Sequence, residues 1–206
     1  MGIYQRFILP HVIDLACGSR PVMRQRAAVV PAAEGVVVEI GAGSGRNLSL
    51  YRPERVRRLI AVDPAPELLA KARRRAAERG LDVDWREGVG EDLPVEDGAA
   101  DTVVITYTLC SVDDPAKVLE EARRVLKPGG RLLFLEHGAA PEPAVRRWQE
   151  RLDRIWPHLA GGCHLTRRPD AALAAAGLRI DHLEMAYLPK TPRSLGFTYW
   201  GSAARA

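Results

Sequence analysis

The residues best suited to chemistry in this chain begin at Glu39-Ile40-Gly41-Ala42-Gly43-Ser44-Gly45, a glycine-spaced loop behind an aliphatic run. Alternate glycines let a chain turn sharply, in part at positive φ, and let a ligand approach bare backbone. Asp63 stands 18 residues beyond Gly45, at the end of the next aliphatic run, where a carboxylate can accept two hydrogen bonds from ribose hydroxyls. Loop and acid together point to a nucleoside-bearing cofactor; the bland alternative is a tight turn and a capped strand. The spacing is G-x-G-x-G, with Arg46 where dinucleotide folds need a third glycine. No G-x-x-x-x-G-K-[ST] sequence occurs, so neither a nicotinamide oxidoreductase nor a phosphate cradle is supported.

These residues need a scaffold, and the hydrophobic pattern predicts one. Val36–Ile40, Arg58–Asp63, Val83–Trp85, Asp101–Thr106 and Arg131–His137 are short aliphatic runs that read as buried strands. Helical patterns lie between them. A short helix is expected over Arg46–Leu50. Glu67–Arg79 has Leu68, Leu69, Ala72 and Ala76 on one face; Asp114–Leu126 has Asp114 as N-cap and Pro115 at the first helical position. Lys127-Pro128-Gly129-Gly130 then turns the chain into the next strand. Such alternation specifies α/β architecture, a mostly parallel sheet with helices on both faces. Ligands in such sheets sit beyond the carboxyl ends of the strands, which singles out Gly41–Asn47, Asp63, Gly88–Leu93, Thr106–Cys110 and Glu136–Gly138.

Four ordered segments, VVVEIGAGSGRNLSLY, IAVDPAPELLAKA, VGEDLPVEDGAADTVVITYTLCSVDD and LEEARRVLKPGGRLLFLEHG, resemble the motifs of class I S-adenosylmethionine-dependent methyltransferases of the ubiquinone/menaquinone-biosynthesis type. The resemblance covers roughly residues 34–140 and implies a Rossmann-like, seven-stranded sheet that ends in an antiparallel hairpin, about Leu178–Ala186 and Leu195–Ala203. It also implies S-adenosyl-L-methionine as cofactor. Gly41, Ala42, Gly43 and Gly45 would line its methionine and ribose portion, with Glu39 beneath the amino group and Asn47 at the end of the loop. Asp63 would hold the ribose, Pro64 would flank the adenine, Gly90 and Glu91 would stand near its amino group, and Thr106 would offer its backbone.

Beyond Gly138, the segments Glu136-His137-Gly138, Trp148-Gln149, Gly161–Arg167 and Gly196–Ala203 are similar to animal methyltransferase-like proteins associated with alkyl-thiol methylation and their bacterial relatives. The expected activity is methyl transfer to a small, fairly apolar acceptor, with a thiol favoured. O- or C-methylation of a phenol or quinone precursor, lipid-headgroup methylation, and a non-catalytic cofactor-binding or peripheral membrane protein are the alternatives. Catalytic candidates are His137 as base, Tyr107 facing the transferred methyl, and His164, with Glu136 able to orient or substitute.

The 206 residues suit one domain: an N-terminal helical lid over 1–33, a cofactor-binding core over 34–140, and acceptor-side helices with a β-hairpin over 141–206. Tyr4 or His11 of the lid would reach inward. In Glu142–Leu159, Val145, Trp148, Leu152, Ile155 and Leu159 share one face. The net charge of +4 is uneven: residues 1–33 carry 4 basic against 1 acidic, 34–140 carry 16 against 19, and 141–206 carry 10 against 6. Basic flanks allow peripheral contact with an anionic membrane, but no basic stripe with interleaved aromatics marks nucleic-acid binding. Cys17, Cys110 and Cys163 lack the paired short spacings of a zinc site, so no metal is expected. They suit a reducing cytoplasm. No apolar run reaches the roughly 18–20 residues that cross a bilayer. The oligomeric state is open.

Overall fold

A computed structural model of the chain describes residues 9–78 and 81–205. Helices α1 (Leu9–Cys17) and α2 (Arg20–Val29) precede β1 (Gly35–Ile40), β2 (Val56–Asp63), α3 (Pro66–Ala77), β3 (Val83–Glu87), β4 (Ala100–Thr106), α4 (Pro115–Val125) and β5 (Leu126–His137). Then come α5 (Pro143–Leu152), α6 (Trp156–Leu159), α7 (Pro169–Ala175) and the hairpin of β6 (Leu178–Tyr187) and β7 (Phe197–Arg205). The strands form one seven-stranded sheet in the order β3-β2-β1-β4-β5-β7-β6. Only β7 runs against its neighbours, pairing antiparallel with both β5 and β6. The order reverses between β1 and β4, so a crevice opens at the carboxyl ends of those strands.

Strand residues alternate between two cores. Val103, Ile105, Leu132 and Phe134 share a cluster with Val118, Leu119 and Ala122 of α4 and Leu173 of α7. On the other face Val104, Leu133 and Leu135 join Val29 of α2 and Ala72 and Ala76 of α3. An isolated helix as short as α4 is marginal in water. Its stripe of Val118, Leu119, Ala122 and Val125 is fully buried, and each Val or Leu contributes roughly 1.5–3 kcal/mol. As expected, the Asp114 side chain caps it, accepting from the amides of Ala116 and Lys117 at 3.1 and 3.2 Å.

Three local expectations are corrected. Arg46–Leu50 is not a helix but a run of turns, with Leu48 N–H on Gly45 O and Leu50 N–H on Asn47 O, because the Asn47 side chain is drawn into the core. Lys127–Gly130 does not stand outside the fifth strand: it bulges from β5 between the pairs Ala100↔Leu126 and Thr102↔Arg131. The helix over Glu142–Leu159 breaks after Leu152, and its apolar face is divided, with Val145 packed against the core. Trp148, Ile155 and Leu159 are more than half exposed. Gln149 docks α5 instead, accepting from Ala140 N–H at 2.8 Å and donating to Gly138 O at 3.1 Å; two buried backbone groups need those partners more than the core needs another indole. No helix among the described residues is long and apolar enough to cross a membrane.

Candidate active site

The carboxyl ends of β1, β2 and β4 open into a cleft of about 540 Å³, a size that takes a small organic molecule. Its floor is the glycine loop. Gly41, Gly43 and Gly45 have φ of 73°, 53° and 77°, yet they serve different ends. A Cβ on Gly41 would stand 2.2 Å from Thr108 Oγ1, and one on Gly45 would stand 2.6 Å from Leu48 Cδ1 and 2.9 Å from Ala72 Cβ on α3. A Cβ on Gly43 would meet nothing nearer than the Gly41 carbonyl at 4.0 Å. Gly43 therefore faces open cleft. Its N–H donates to Asp63 Oδ2 at 2.7 Å, while Ala65 N–H donates to Oδ1 at 2.9 Å. Burial raises the Asp63 carboxyl above its ordinary value despite both bonds.

Arg26 of α2 and Arg46 both line the cleft, and Arg26 is only 5% exposed. Its Nη1 donates to Asn47 Oδ1 at 2.8 Å and Thr106 Oγ1 at 2.6 Å, and its guanidinium lies over the Tyr107 ring at 5.1 Å. Its buried Nε has no partner among the described residues. Glu39 lies behind the loop, not on the cleft, and accepts from Asn47 Nδ2 at 2.9 Å and Tyr51 OH at 2.8 Å. Burial pushes its carboxyl up to about 7, against the opposing pull of Tyr51, the Arg26 charge and Asn47.

That proton has a measurable consequence. Between the unfolded value of 4.5 and the folded value of about 7, the folded chain keeps a proton on Glu39 that the unfolded chain has lost. Stability therefore falls as pH rises through this window, by up to about 1.4 kcal/mol per pH unit. Glu39→Gln is expected to flatten that decline, read as urea midpoints at pH 5 and pH 7. Asp63 and Glu136, also raised by burial, push the same way, so the slope shrinks without vanishing; an unchanged slope would place the proton elsewhere.

The roof is α1. Asp14, almost wholly buried, is held by Lys71, Ser44, Arg46 (2.7 Å) and Arg75 (3.5 Å), which ties α1 to the loop and to α3. Burial opposes its charge, but hydrogen bonds from Lys71, Ser44 and Arg46 outweigh that and hold the carboxyl well below its usual range. Ile13 of α1 meets the loop after α6, where a Cβ on Gly161 would stand 2.5 Å from Ile13 Cδ1. Tyr4 lies outside the described residues, as does the His11 side chain.

The profile of a family described as Methyltransferase domain matches residues 38–134. Thiol S-methyltransferase TMT1B of Rattus norvegicus is 36% identical over 172 residues, 79% of this chain and 70% of that protein. The chain belongs to the S-adenosylmethionine-dependent methyltransferases. Demethylmenaquinone methyltransferase of Thermus thermophilus is 38% identical over 128 residues, 61% of this chain and 58% of that protein. Among solved structures, geranyl diphosphate C-methyltransferase from Streptomyces coelicolor A3(2), in complex with Mg2+, geranyl diphosphate and S-adenosyl-L-homocysteine, shares the fold with a TM-score of 0.68 at 19% identity, covering 89% of this chain and 78% of that one.

The cofactor of this methyltransferase is S-adenosylmethionine, and the cleft fits it. A nucleoside carrying an amino acid needs an acid for its ribose, bare backbone alongside and a cation for its carboxylate. Asp63, Gly43 and the guanidinium-bearing Arg26 line the cleft for those needs in turn. Gly41, Ala42, Gly43, Asp63, Pro64, Gly90, Glu91, Thr106 and Tyr107, all read from the sequence, line the cleft; Glu39, Gly45 and Asn47 support it from behind.

The catalytic candidates separate. Tyr107 lines the cleft at φ 56° and donates its hydroxyl to Gln25 Oε1 at 2.8 Å; burial holds its phenol well above its ordinary value. His137 and His164 do not line the cleft. His137 packs edge-on against Tyr107 at 4.8 Å. His164 Nδ1 pairs with Asp153 Oδ2 at 3.0 Å, and Asp153 also accepts from Leu165 N–H and Thr166 Oγ1, so the methyltransferase uses this histidine in a loop clamp. Glu136 is fully buried, its carboxylate accepting from the amides of Thr108, Leu109 and Cys110 at 2.9, 3.0 and 3.1 Å. It shapes the loop after β4. Arg26 and Asp14 were not singled out as site residues by sequence, and Gly161 entered only within the segment Gly161–Arg167; nothing in residue type separates Arg26 from Arg20 or Arg24 on the same helix.

Proposed function

We propose that this methyltransferase S-methylates a small, fairly apolar thiol. The observation that carries this reading is that, among the described residues lining the cleft, there is no imidazole and the one phenol is held protonated. Burial also raises the Cys17 thiol, and the carboxylates are weak bases for a phenol of pKa about 10, whereas a thiol near 8.5 arrives partly ionised without help. The thiol S-methyltransferase name of the rat relative supports the same acceptor.

S-adenosylmethionine, when bound, supplies a sulfonium methyl that needs only an in-line nucleophile about 3 Å away. The chain's own residues do the rest. Asp63 would hold the ribose and Arg26 the carboxylate of the amino-acid portion, and the contact of Ile13 with the Gly161 loop closes the roof against water. Tyr107, bound through its hydroxyl to Gln25, sets a fixed apolar wall. The thiol proton leaves to solvent beforehand.

The test offers a small alkyl or aryl thiol, a catechol and a phosphatidylethanolamine to the protein with S-adenosylmethionine, and follows S-adenosylhomocysteine and the methylated product by mass spectrometry. Turnover is expected with the thiol, rising with pH toward the thiol's own pKa. Turnover with the catechol or the lipid alone, or cofactor binding with no turnover, would overturn the reading.

A further inference from the structure

Cys110, His137 and Cys163 come from three separate segments: the loop after β4, the last residue of β5, and the loop after α6. Folding brings them together. The two sulfurs and an imidazole nitrogen all lie within 4.8 Å of one another, and Cys163 Sγ is 3.6 Å from His137 Nδ1. Both cysteines are buried and neither is in a disulfide. The geometry points to a binding site for one thiophilic d10 cation, zinc first, held by the sulfurs of Cys110 and Cys163 and Nδ1 of His137.

The dimensions support an ion there. With Zn–S of about 2.3 Å and Zn–N of about 2.0–2.1 Å in tetrahedral geometry, a bound sulfur and nitrogen stand about 3.5 Å apart, and two sulfurs about 3.8 Å. The Cys163–His137 edge already has that length, and it equally suits a thiol–imidazole hydrogen bond, which the ion would replace. The other two edges, at most 4.8 Å, need to close by no more than about 1.0 Å between the sulfurs and about 1.3 Å between Cys110 and His137. Two thiolates and an imidazole select zinc or copper(I) over magnesium or calcium.

The donors are also held in place. The Glu136 carboxylate accepts the Cys110 amide at 3.1 Å, and His164 N–H donates to Cys110 O at 2.7 Å, which pins the segment of Cys163 onto that of Cys110. The ring of Tyr107, edge-on at 4.8 Å, sets the plane of His137. Second contacts of this kind orient metal ligands. Three protein donors leave a fourth position, the count of an open rather than a closed zinc site. Tyr107, Ser111 and Gly161, chain neighbours of these donors, line the cleft, so the ion would brace the acceptor-side wall. This inference is independent of which acceptor is methylated.

The test uses the full chain, reduced and freed of metal by a chelator, and titrated with Co2+ as probe. A thiolate-to-cobalt charge-transfer band and intense tetrahedral d–d bands are expected, saturating at one cobalt per chain and bleached by one equivalent of Zn2+. Cys110→Ala and Cys163→Ala should each diminish the charge-transfer band, and His137→Ala should keep it while altering the d–d bands. Circular dichroism identifies any variant that fails to fold. The wild-type titration decides by itself: no charge-transfer band, or formation of a Cys110–Cys163 disulfide in place of metal uptake, would overturn the site. So would a band that persists unchanged in the folded Cys110→Ala/Cys163→Ala protein.

Discussion

Gly43→Val is expected to weaken S-adenosylmethionine binding at least about a hundredfold, close to 3 kcal/mol, while the protein stays folded. Two costs act together. At φ 53° a non-glycine residue pays roughly 1–2 kcal/mol, and a β-branched one more. The added methyls then occupy the cofactor's space, because the Cβ direction meets no protein atom closer than 4.0 Å. The Gly43 N–H that orients Asp63 at 2.7 Å shifts with the backbone. Gly45→Val makes the contrast: its Cβ would enter α3 at 2.9 Å from Ala72, so it should lower stability rather than affinity alone. Calorimetric titration with S-adenosylhomocysteine, beside a thermal melt, separates the two. A Gly43→Val dissociation constant within threefold of wild type would show that this glycine does not face the cofactor.

Arg26→Met is expected to cost one hundred- to a thousandfold in affinity for S-adenosylmethionine but less than threefold for 5′-methylthioadenosine, which lacks the amino-acid portion. Methionine keeps most of the buried apolar stem and removes the guanidinium. Losing one side of a buried charged hydrogen-bonded pair costs about 2–5 kcal/mol, and Arg26 is the almost wholly buried cation on the cleft that would make that pair with the cofactor carboxylate. The Nη1 bonds to Asn47 and Thr106 are lost as well. Equal losses for the two ligands would mean that Arg26 acts by shaping the loop rather than by holding the amino acid.

Much of the cofactor side was legible in the residues. Gly41–Gly45 and Asp63 are local signals: a positive-φ turn and a carboxylate at a strand end are written into residue type and spacing, and the structure places both in the cleft or directly behind it. The strands were legible for a similar reason, since a run such as Val103–Ile105, buried on both faces of the sheet, has no polar side chain to expose. The acceptor side was not. Trp148 and Ile155 share a helical face with Val145, yet they are exposed because Gln149 satisfies two buried backbone groups at that contact. His164 has the type of a catalytic base and the place of a loop clamp.

By itself, the amino-acid sequence determined the order of strands and helices, the glycine loop, the ribose acid and hence the cofactor class, because each depends on residues within one or two turns of chain. Tertiary structure alone decided the rest. It chose Arg26 from three arginines on α2, gave Asp14 a latch with partners 30 to 61 positions away, and gathered Cys110, His137 and Cys163 within 4.8 Å although 53 positions of chain separate the first from the last. A parallel sheet brings the carboxyl ends of distant strands side by side, so what converges there depends on strand order, which no local spacing records.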